Sequence, residues 1–247
     1  MTLYLPDNCG WGNAVLLTAD AYASVDNLKV YKSVMKYEES GAIDWEKFQI
    51  TTDKNEPRFN SRLVINPWTR SNKHSNVKDV VKPSEKMKKF IEKYTHGCKW
   101  GIHIRRGAFS KDSENIGCHG LDENGNIKKA FFANDEALEK FKKIIEIKNG
   151  KFFVASDSKE VKTALKQMFP DKVVILENNP VLTYECEFTK NNVSKDDQFQ
   201  TFLEWFLLAQ CQTIFITGGN KDMTDLSTFG YSAACYGDSD IQFVTNF

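Results

Sequence analysis

The sequence predicts an α/β protein in which a doubly wound parallel sheet forms the C-terminal part. From about residue 97 onward, short runs rich in β-branched and aromatic residues alternate with amphipathic runs of helical period. The chain has 247 residues, of which 41% are apolar, so it can bury a large core. Because the first 95 residues are less regular, we predict a smaller α/β half at 1–95 and a larger, doubly wound half at 96–247.

Four strands are predicted in the larger half, at 100–104, 151–155, 173–176 and 213–217. Each is a short and nearly continuous apolar run. Such runs are typical of strands that are buried on both faces of a parallel sheet. We therefore expect helices on both sides of this sheet.

Three helices are predicted between these strands. Asn134 caps the first, whose apolar positions 138, 141, 144 and 145 share one face and which ends near 149–150. Either Asp157 or Ser158 caps the second, which ends at Pro170 and carries positions 161, 165 and 168 inward. The third follows two acidic residues at 196–197 and is apolar almost all round from 199 to 209, so it is expected to be buried on several sides.

The smaller half is predicted to contain a strand near 3–5, a helix at 14–25 and strands near 48–51 and 62–65. A Lys-rich helix from Ser84 to Tyr94 follows. Pro83 before it and Gly97 beyond it are residues that commonly bound a helix. We expect this helix to join the two halves.

Composition excludes several classes of protein. Lys plus Arg equal Asp plus Glu at 33 each, so the chain lacks the positive field of a nucleic-acid-binding protein. The six cysteines form no Cys-x-x-Cys pair, which predicts reduced thiols and no zinc site. No signal sequence or apolar run of membrane-spanning length is present, which favours a cytoplasmic protein or a soluble domain of a longer microbial or viral chain. The oligomeric state stays open.

The clearest chemical motif is the segment 101–107, Gly-Ile-His-Ile-Arg-Arg-Gly, in which a predicted strand ends in two arginines. Ligands of open α/β sheets bind outside the carboxyl ends of the strands, where Arg105 and Arg106 are expected. Guanidinium groups bind phosphate oxygens with paired hydrogen bonds, so they can stabilise a leaving nucleoside diphosphate. The alternative is that one arginine pairs with a carboxylate and the other is solvated.

A Gly-rich segment at 8–13 follows the first predicted strand and precedes an apolar helix. Gly10 and Gly12 would let the backbone approach a ligand closely, and the helix start at Asn13 offers N–H groups to an anion. A simple tight turn is the alternative. Trp11 and Trp68 are candidates for stacking on a sugar ring, with core packing equally open.

Two further polar segments follow predicted strands. Asp157 either caps a helix or accepts hydrogen bonds from a nucleotide base. Ser227, Thr228 and Phe229 open a helix of small residues, where hydroxyl and N–H groups suit phosphate.

Together these four segments resemble the fucosyltransferase superfamily with the two-lobed GT-B fold, in which each half is Rossmann-like. That superfamily includes the α-1,6-, bacterial α-1,2- and protein O-fucosyltransferases. The most specific part is His103-Ile104-Arg105-Arg106-Gly107, which is similar to the family's His-x-Arg-Arg signature. The resemblance implies that Arg105 and Arg106 hold the donor diphosphate and that His103 lies against the donor.

The same resemblance implies roles for the other segments. Asp157 would read the nucleobase, and the turn at 227–229 would bind phosphate. Gly10, Gly12 and Asn13 correspond to the family's first Gly-x-Gly-Asn loop. Two departures are that Ala108 stands where many members have Asp, and that an insertion at 218–225 separates the last strand from its Ser-Thr-Phe turn.

The activity implied is transfer of a deoxysugar, L-fucose from GDP-fucose, to a glycan hydroxyl by an inverting displacement without a metal or other cofactor. The catalytic base is expected in the loop 109–121, where Glu114 is favoured over Asp112. The acidic pair at 196–197 is interpreted as a helix start and not as a metal site. Two alternatives stay open: a rhamnosyl- or xylosyltransferase that uses a UDP-sugar, and a non-catalytic nucleotide- or carbohydrate-binding module.

Overall fold

The protein is described by a computed structural model over residues 2–3, 11–24, 29–31, 43–44, 49–51, 58–59, 77–95, 97–106, 132–176, 195–218 and 226–245. No helix in these ranges combines the length and the apolar character that crossing a membrane requires.

The first strands of the chain form a parallel sheet in the order β4-β2-β1-β5. A short antiparallel pair, β3 with β6, accompanies it. These strands are β1 (Thr2–Leu3), β2 (Lys29–Tyr31), β3 (Ile43–Asp44), β4 (Gln49–Thr51), β5 (Arg58–Phe59) and β6 (Lys82–Pro83). The strands predicted near 3–5 and 48–51 are thereby confirmed, and the one predicted near 62–65 lies outside the described residues.

The larger sheet has five parallel strands in the order β11-β10-β7-β8-β9. They are β7 (Trp100–Ile104), β8 (Phe152–Ser156), β9 (Val173–Val174), β10 (Thr213–Thr217) and β11 (Asp240–Val244). Every residue of β8 and β10 is buried, as expected for strands covered on both faces. The four predicted strands are confirmed, with β9 shorter than predicted, and the edge strand β11 was missed.

Seven helices lie in the described ranges: α1 (Trp11–Ser24), α2 (Val77–Val80), α3 (Glu85–Lys93), α4 (Asp135–Ile147), α5 (Lys159–Met168), α6 (Lys195–Leu208) and α7 (Thr228–Gly237). Side chains of α4 and α5 pack with one face of the larger sheet. Those of α6 and α7 pack with the other face, together with α1, α2 and α3. The larger sheet is therefore doubly wound, as the sequence predicts.

Local sequence explains where most of these helices begin. Ser84, Asn134 and Ser158 each accept a hydrogen bond from the backbone N–H three residues on, so each is an N-cap. One predicted core position is wrong, because Met168 is 52% exposed. The helix ends there, and Phe169 leaves the helical conformation and packs against the core instead.

Candidate functional site

The strand order of the larger sheet reverses beside β7. From β7 the chain runs outward through β8 and β9 and then returns to β10 and β11 on the other side. Ligands of doubly wound sheets bind at such a point, outside the carboxyl ends of the strands. The residues found there are the end of β7, from His103 to Arg106, and Thr217 at the end of β10.

Thr217 joins the two strands at this point. Its Oγ1 donates a hydrogen bond to the His103 carbonyl (3.3 Å) and accepts one from the backbone N–H of Arg105 (3.0 Å). Because the two bonds involve backbone atoms on either side of Ile104, the last residue of β7, the end of this strand is fixed against β10. Sequence reasoning assigned Thr217 only to a strand, although a hydroxyl at the carboxyl end of a buried strand is a signal that points to this edge.

His103 is buried against the start of α7. Its ring stacks on Phe229, with 5.0 Å between centroids and 28° between planes. A Cβ on Gly230 would lie 2.9 Å from His103 Cβ, so only glycine allows α7 to pack this closely. Burial, and after it the charge of Arg105, lowers the pKa of His103 to about 3, so the imidazole is neutral at physiological pH. Within the described part of the chain, its Nδ1 has no hydrogen-bond partner.

Arg105 is half-buried and rests on an aromatic ring. Its Cζ lies 5.4 Å from the centroid of the Phe132 ring, within the range of a cation–π interaction. Its carbonyl accepts a hydrogen bond from Ala133 N. The residues just before α4 therefore support Arg105 from one side.

Arg106 makes its contacts with the protein itself. It is 8% exposed; its Nη1 donates to the Ala133 carbonyl (2.9 Å) and its Nη2 to Asp135 Oδ1 (2.7 Å). Its backbone N–H donates to Asp157 Oδ1 at 2.6 Å. The assignment of Arg106 to the donor diphosphate stays a prediction. Sequence reasoning missed these three acceptors because each lies 27 or more residues away along the chain.

Asp157 follows β8, and its carboxylate accepts the hydrogen bond from Arg106 N. Ser158 Oγ accepts from Val161 N (3.3 Å), so Ser158 is the cap. Asp157 instead links the ends of β7 and β8. Its role as a reader of the nucleobase stays a prediction.

The N-terminus of α7 lies on the end of β10, because Ser227 N donates to the Thr217 carbonyl (3.1 Å). Ser227 is the N-cap by position, yet its side chain makes no capping bond. Its Oγ is fully buried and has no partner among the described residues. A helix start with a buried hydroxyl and N–H groups that helix geometry leaves unbonded can bind an anion.

The N-terminus of α1 corrects one expectation. Gly12 and Asn13 belong to the first turn of α1 and not to a loop before it. A Cβ on Gly12 would lie 2.5 Å from Phe229 N and closer still to the Thr228 carbonyl group, so the starts of α1 and α7 are in backbone contact. Asn13 Oδ1 is buried without a partner in the described ranges.

Trp11 does not lie on the surface. It is buried, with its ring centroid 4.4 Å from that of Phe202 and 5.8 Å from that of Trp205. It therefore anchors α1 on α6, and the suggestion that it stacks on a sugar ring is wrong. The other sequence-predicted positions, Gly10, Trp68, Gly107, Ala108, Asp112, Glu114 and 219–225, lie outside the described residues.

Of the nine predicted donor-site residues that the structure describes, all but Asp157 and Arg106 lie where β7, β10, α1 and α7 meet. Asp157 adjoins that region from the end of β8, and Arg106 follows Arg105 but bonds to the start of α4. No group of three or more His, Cys, Asp or Glu side chains in the described ranges is placed to hold a metal ion.

The α/β fold with its five-stranded parallel sheet matches the fold of solved GT-B fucosyltransferases. The chain is similar to NodZ α-1,6-fucosyltransferase co-crystallised with GDP, with a TM-score of 0.53 and 14% identity over 94% of this chain and 90% of that chain. The same enzyme soaked with GDP-fucose gives a TM-score of 0.50 at 14% identity over 95% and 91% of the two chains.

POFUT1 in complex with GDP is also similar, at 15% identity and a TM-score of 0.38 over 71% of this chain and 50% of that one. This chain thus spans about half the length of POFUT1. No protein-family model matches the sequence, and no curated protein matches it. At these identities the likeness establishes the fold.

Proposed function

We propose that this protein is a glycosyltransferase that binds GDP-fucose at the strand-order reversal and transfers L-fucose to a glycan hydroxyl. One observation carries the proposal. Thr217 accepts hydrogen bonds from the backbone N–H groups of both Arg105 and Ser227, and the start of α7 that Ser227 opens is in backbone contact with the N-terminus of α1. Three sources of positive potential therefore act on one small region.

The chemistry of a diphosphate suits that region. Each helix N-terminus carries the equivalent of about +0.5 charge, and a guanidinium group stays protonated at any physiological pH. Because His103 is neutral, the formal positive charge at this point comes from the Arg105 guanidinium, and the two helix N-termini add their partial positive charge. The charge that develops on the leaving diphosphate is stabilised by groups already in position, with no role required of a metal ion.

The reaction is an inverting displacement. The acceptor hydroxyl oxygen forms a bond to the anomeric carbon, the bond from that carbon to the diphosphate oxygen breaks, and GDP leaves. The hydroxyl proton passes to a base, for which Glu114 is proposed ahead of Asp112. The nucleobase is assigned to Asp157, and the phosphates to Ser227, Thr228 and Phe229 together with Gly10, Gly12 and Asn13.

The neighbours in fold support the choice of donor. The NodZ structures were obtained with GDP and with GDP-fucose, which makes GDP-fucose the first donor to test. UDP-rhamnose and UDP-xylose are the other donors to include.

The test is transfer of mass-tagged fucose from GDP-fucose to a panel of oligosaccharides in the presence of EDTA. Arg105→Ala is expected to lower turnover by roughly 100-fold, the scale seen when one charge-stabilising donor is removed. The matched control is Lys99→Ala. Lys99 is an exposed cation that lies against Trp100 at the opposite end of β7, and its loss is expected to leave turnover unchanged. GDP binding without transfer to any acceptor would contradict the enzymatic proposal and favour a non-catalytic binding module.

A further inference from the structure

We propose that Arg106 is a positioning residue that holds Arg105 in place through the segment 132–135, and that Arg106 itself does not grip the diphosphate. This inference rests on the proposed function, because it assigns different tasks to the two neighbouring arginines of the proposed donor site. It follows from where the guanidinium of Arg106 points.

Three hydrogen bonds tie the start of α4 to the end of β7. Ala133 N donates to the Arg105 carbonyl at 2.6 Å. Arg106 Nη1 then donates to the Ala133 carbonyl, and Arg106 Nη2 to Asp135 Oδ1. Because Asp135 is the first residue of α4, the bond to it also places a carboxylate at the positive end of that helix.

The segment fixed in this way carries the ring that supports Arg105. Phe132 immediately precedes Ala133, is fully buried, and lies under the Arg105 guanidinium. A ring held in one place restricts where that guanidinium can rest. Arg106 therefore positions Arg105 indirectly: it bonds to Ala133, and the neighbouring Phe132 supports the Arg105 guanidinium.

The orientation of Arg106 leaves little of it for a ligand. Its side chain is 10% exposed, and both terminal nitrogens, which form the fork that grips phosphate, are directed at protein acceptors. The exposed member of the pair is Asp135, whose side chain is 88% exposed. Asp135 lies outside the proposed donor site. Changing it therefore tests whether the Arg106–Asp135 pair supports the site, without removing a group that would touch the ligand.

The experiment measures GDP affinity and unliganded stability for Arg106→Ala, Asp135→Ala and the double variant. The control is Glu136→Ala, which removes the next acidic residue of the same helix turn; Glu136 pairs with Lys140 and not with Arg106. We expect Asp135→Ala to weaken GDP binding roughly 10-fold, by analogy with metal sites, where loss of a residue that orients a ligand costs about 10- to 100-fold. The double variant should resemble Arg106→Ala in both measurements, because the two residues act through one bond.

Two further variants separate positioning from mere stability. Phe132→Leu keeps an apolar side chain but removes the ring, and should weaken GDP binding about threefold at a temperature where the variant is fully folded. Arg106→Lys keeps the charge and one bond, and should restore part of the affinity lost in Arg106→Ala. A purely structural role would change the unfolding temperature and leave GDP affinity of the folded protein intact.

The proposal is overturned if Asp135→Ala binds GDP like Glu136→Ala while Arg106→Ala abolishes binding, or if the two losses of stability add. If the unmodified protein binds neither GDP nor UDP, the proposed function fails. The unliganded stabilities of the two single variants and the double variant then decide whether Arg106 and Asp135 act through one bond. Additive losses of stability overturn the proposal.

Discussion

Replacing Gly12 with Ala tests the contact between the starts of α1 and α7. The added Cβ would lie 2.5 Å from Phe229 N, whereas non-bonded heavy atoms pack at about 3.5 Å or more, so α1 must retreat by about 1 Å. Neighbouring side chains cannot relieve the clash, because the atoms it meets belong to the backbone of α7. Overpacking of this kind costs about 3 kcal/mol at the upper end of its usual range, and the higher helix propensity of Ala relative to Gly offsets about 1 kcal/mol of that loss. The expected net loss is about 2 kcal/mol.

Scanning calorimetry and GDP titration measure the two consequences. A loss of about 2 kcal/mol lowers Tm by roughly 4–8 °C in a protein of this size, and separated helix ends should weaken GDP binding. The control is Gly97→Ala, where a positive φ of 62° is strained by a side chain but no atom lies within 4 Å. It should lower Tm and leave GDP binding unchanged. A Gly12→Ala variant with full stability and full affinity would refute the reasoning about this contact.

Three other predictions concern the stability of the protein. The pKa of His103 in the folded protein lies below its value of 6.5 in the unfolded chain, so stability falls as the pH drops through 6.5 towards 3. In urea denaturation, the unmodified protein should lose about 2 kcal/mol more stability than His103→Gln between pH 6.5 and 5. Equal losses would argue against a neutral buried ring. Lys162 and Glu204 form a 3.1 Å ion pair whose side chains are 3% and 5% exposed. In guanidinium denaturation, Lys162→Met alone should lower the free energy of unfolding by roughly 3–5 kcal/mol, whereas Lys162→Met with Glu204→Leu should have nearly the stability of the unmodified protein. A large loss in the double variant would show that the ion pair is a net source of stability. Asp238 ends α7 with a φ of 55°, so Asp238→Gly should raise stability by about 1 kcal/mol; a lower Tm would contradict that.

The larger sheet was predictable because its signals are local. The runs at 100–104 and 213–217 are short and mostly apolar, and capping residues such as Asn134 mark helix starts three residues ahead of their hydrogen-bond donors. The general rule for open sheets then places the polar ends of these strands at one edge. That rule requires no knowledge of side-chain contacts.

The start of α1 was misread because two glycines near residue 12 have poor helix propensity and are typical of a loop. The contact that favours glycine there is with Thr228 and Phe229, more than 200 residues later in the chain. No local pattern carries that information.

The same limit applies to the partners of Arg106. Its acceptors, Ala133 and Asp135, are separated from it by a segment with no periodicity that would bring them back to the end of β7. The sequence shows two equivalent arginines, and the structure distinguishes them by what surrounds each. Asp157 is a similar case, because its bond to Arg106 N forms only once β7 and β8 are adjacent.

The central claim is that this fold binds a guanosine diphosphate through Arg105. Thermal unfolding with GDP, UDP, ADP or no nucleotide, in the presence of EDTA, tests it most directly, because a ligand at about 100 times its Kd adds roughly 2.7 kcal/mol of stability. We predict selective stabilisation by GDP that Arg105→Ala abolishes and Lys99→Ala retains. Absence of stabilisation by every nucleotide, or an undiminished GDP effect in Arg105→Ala, would contradict the account.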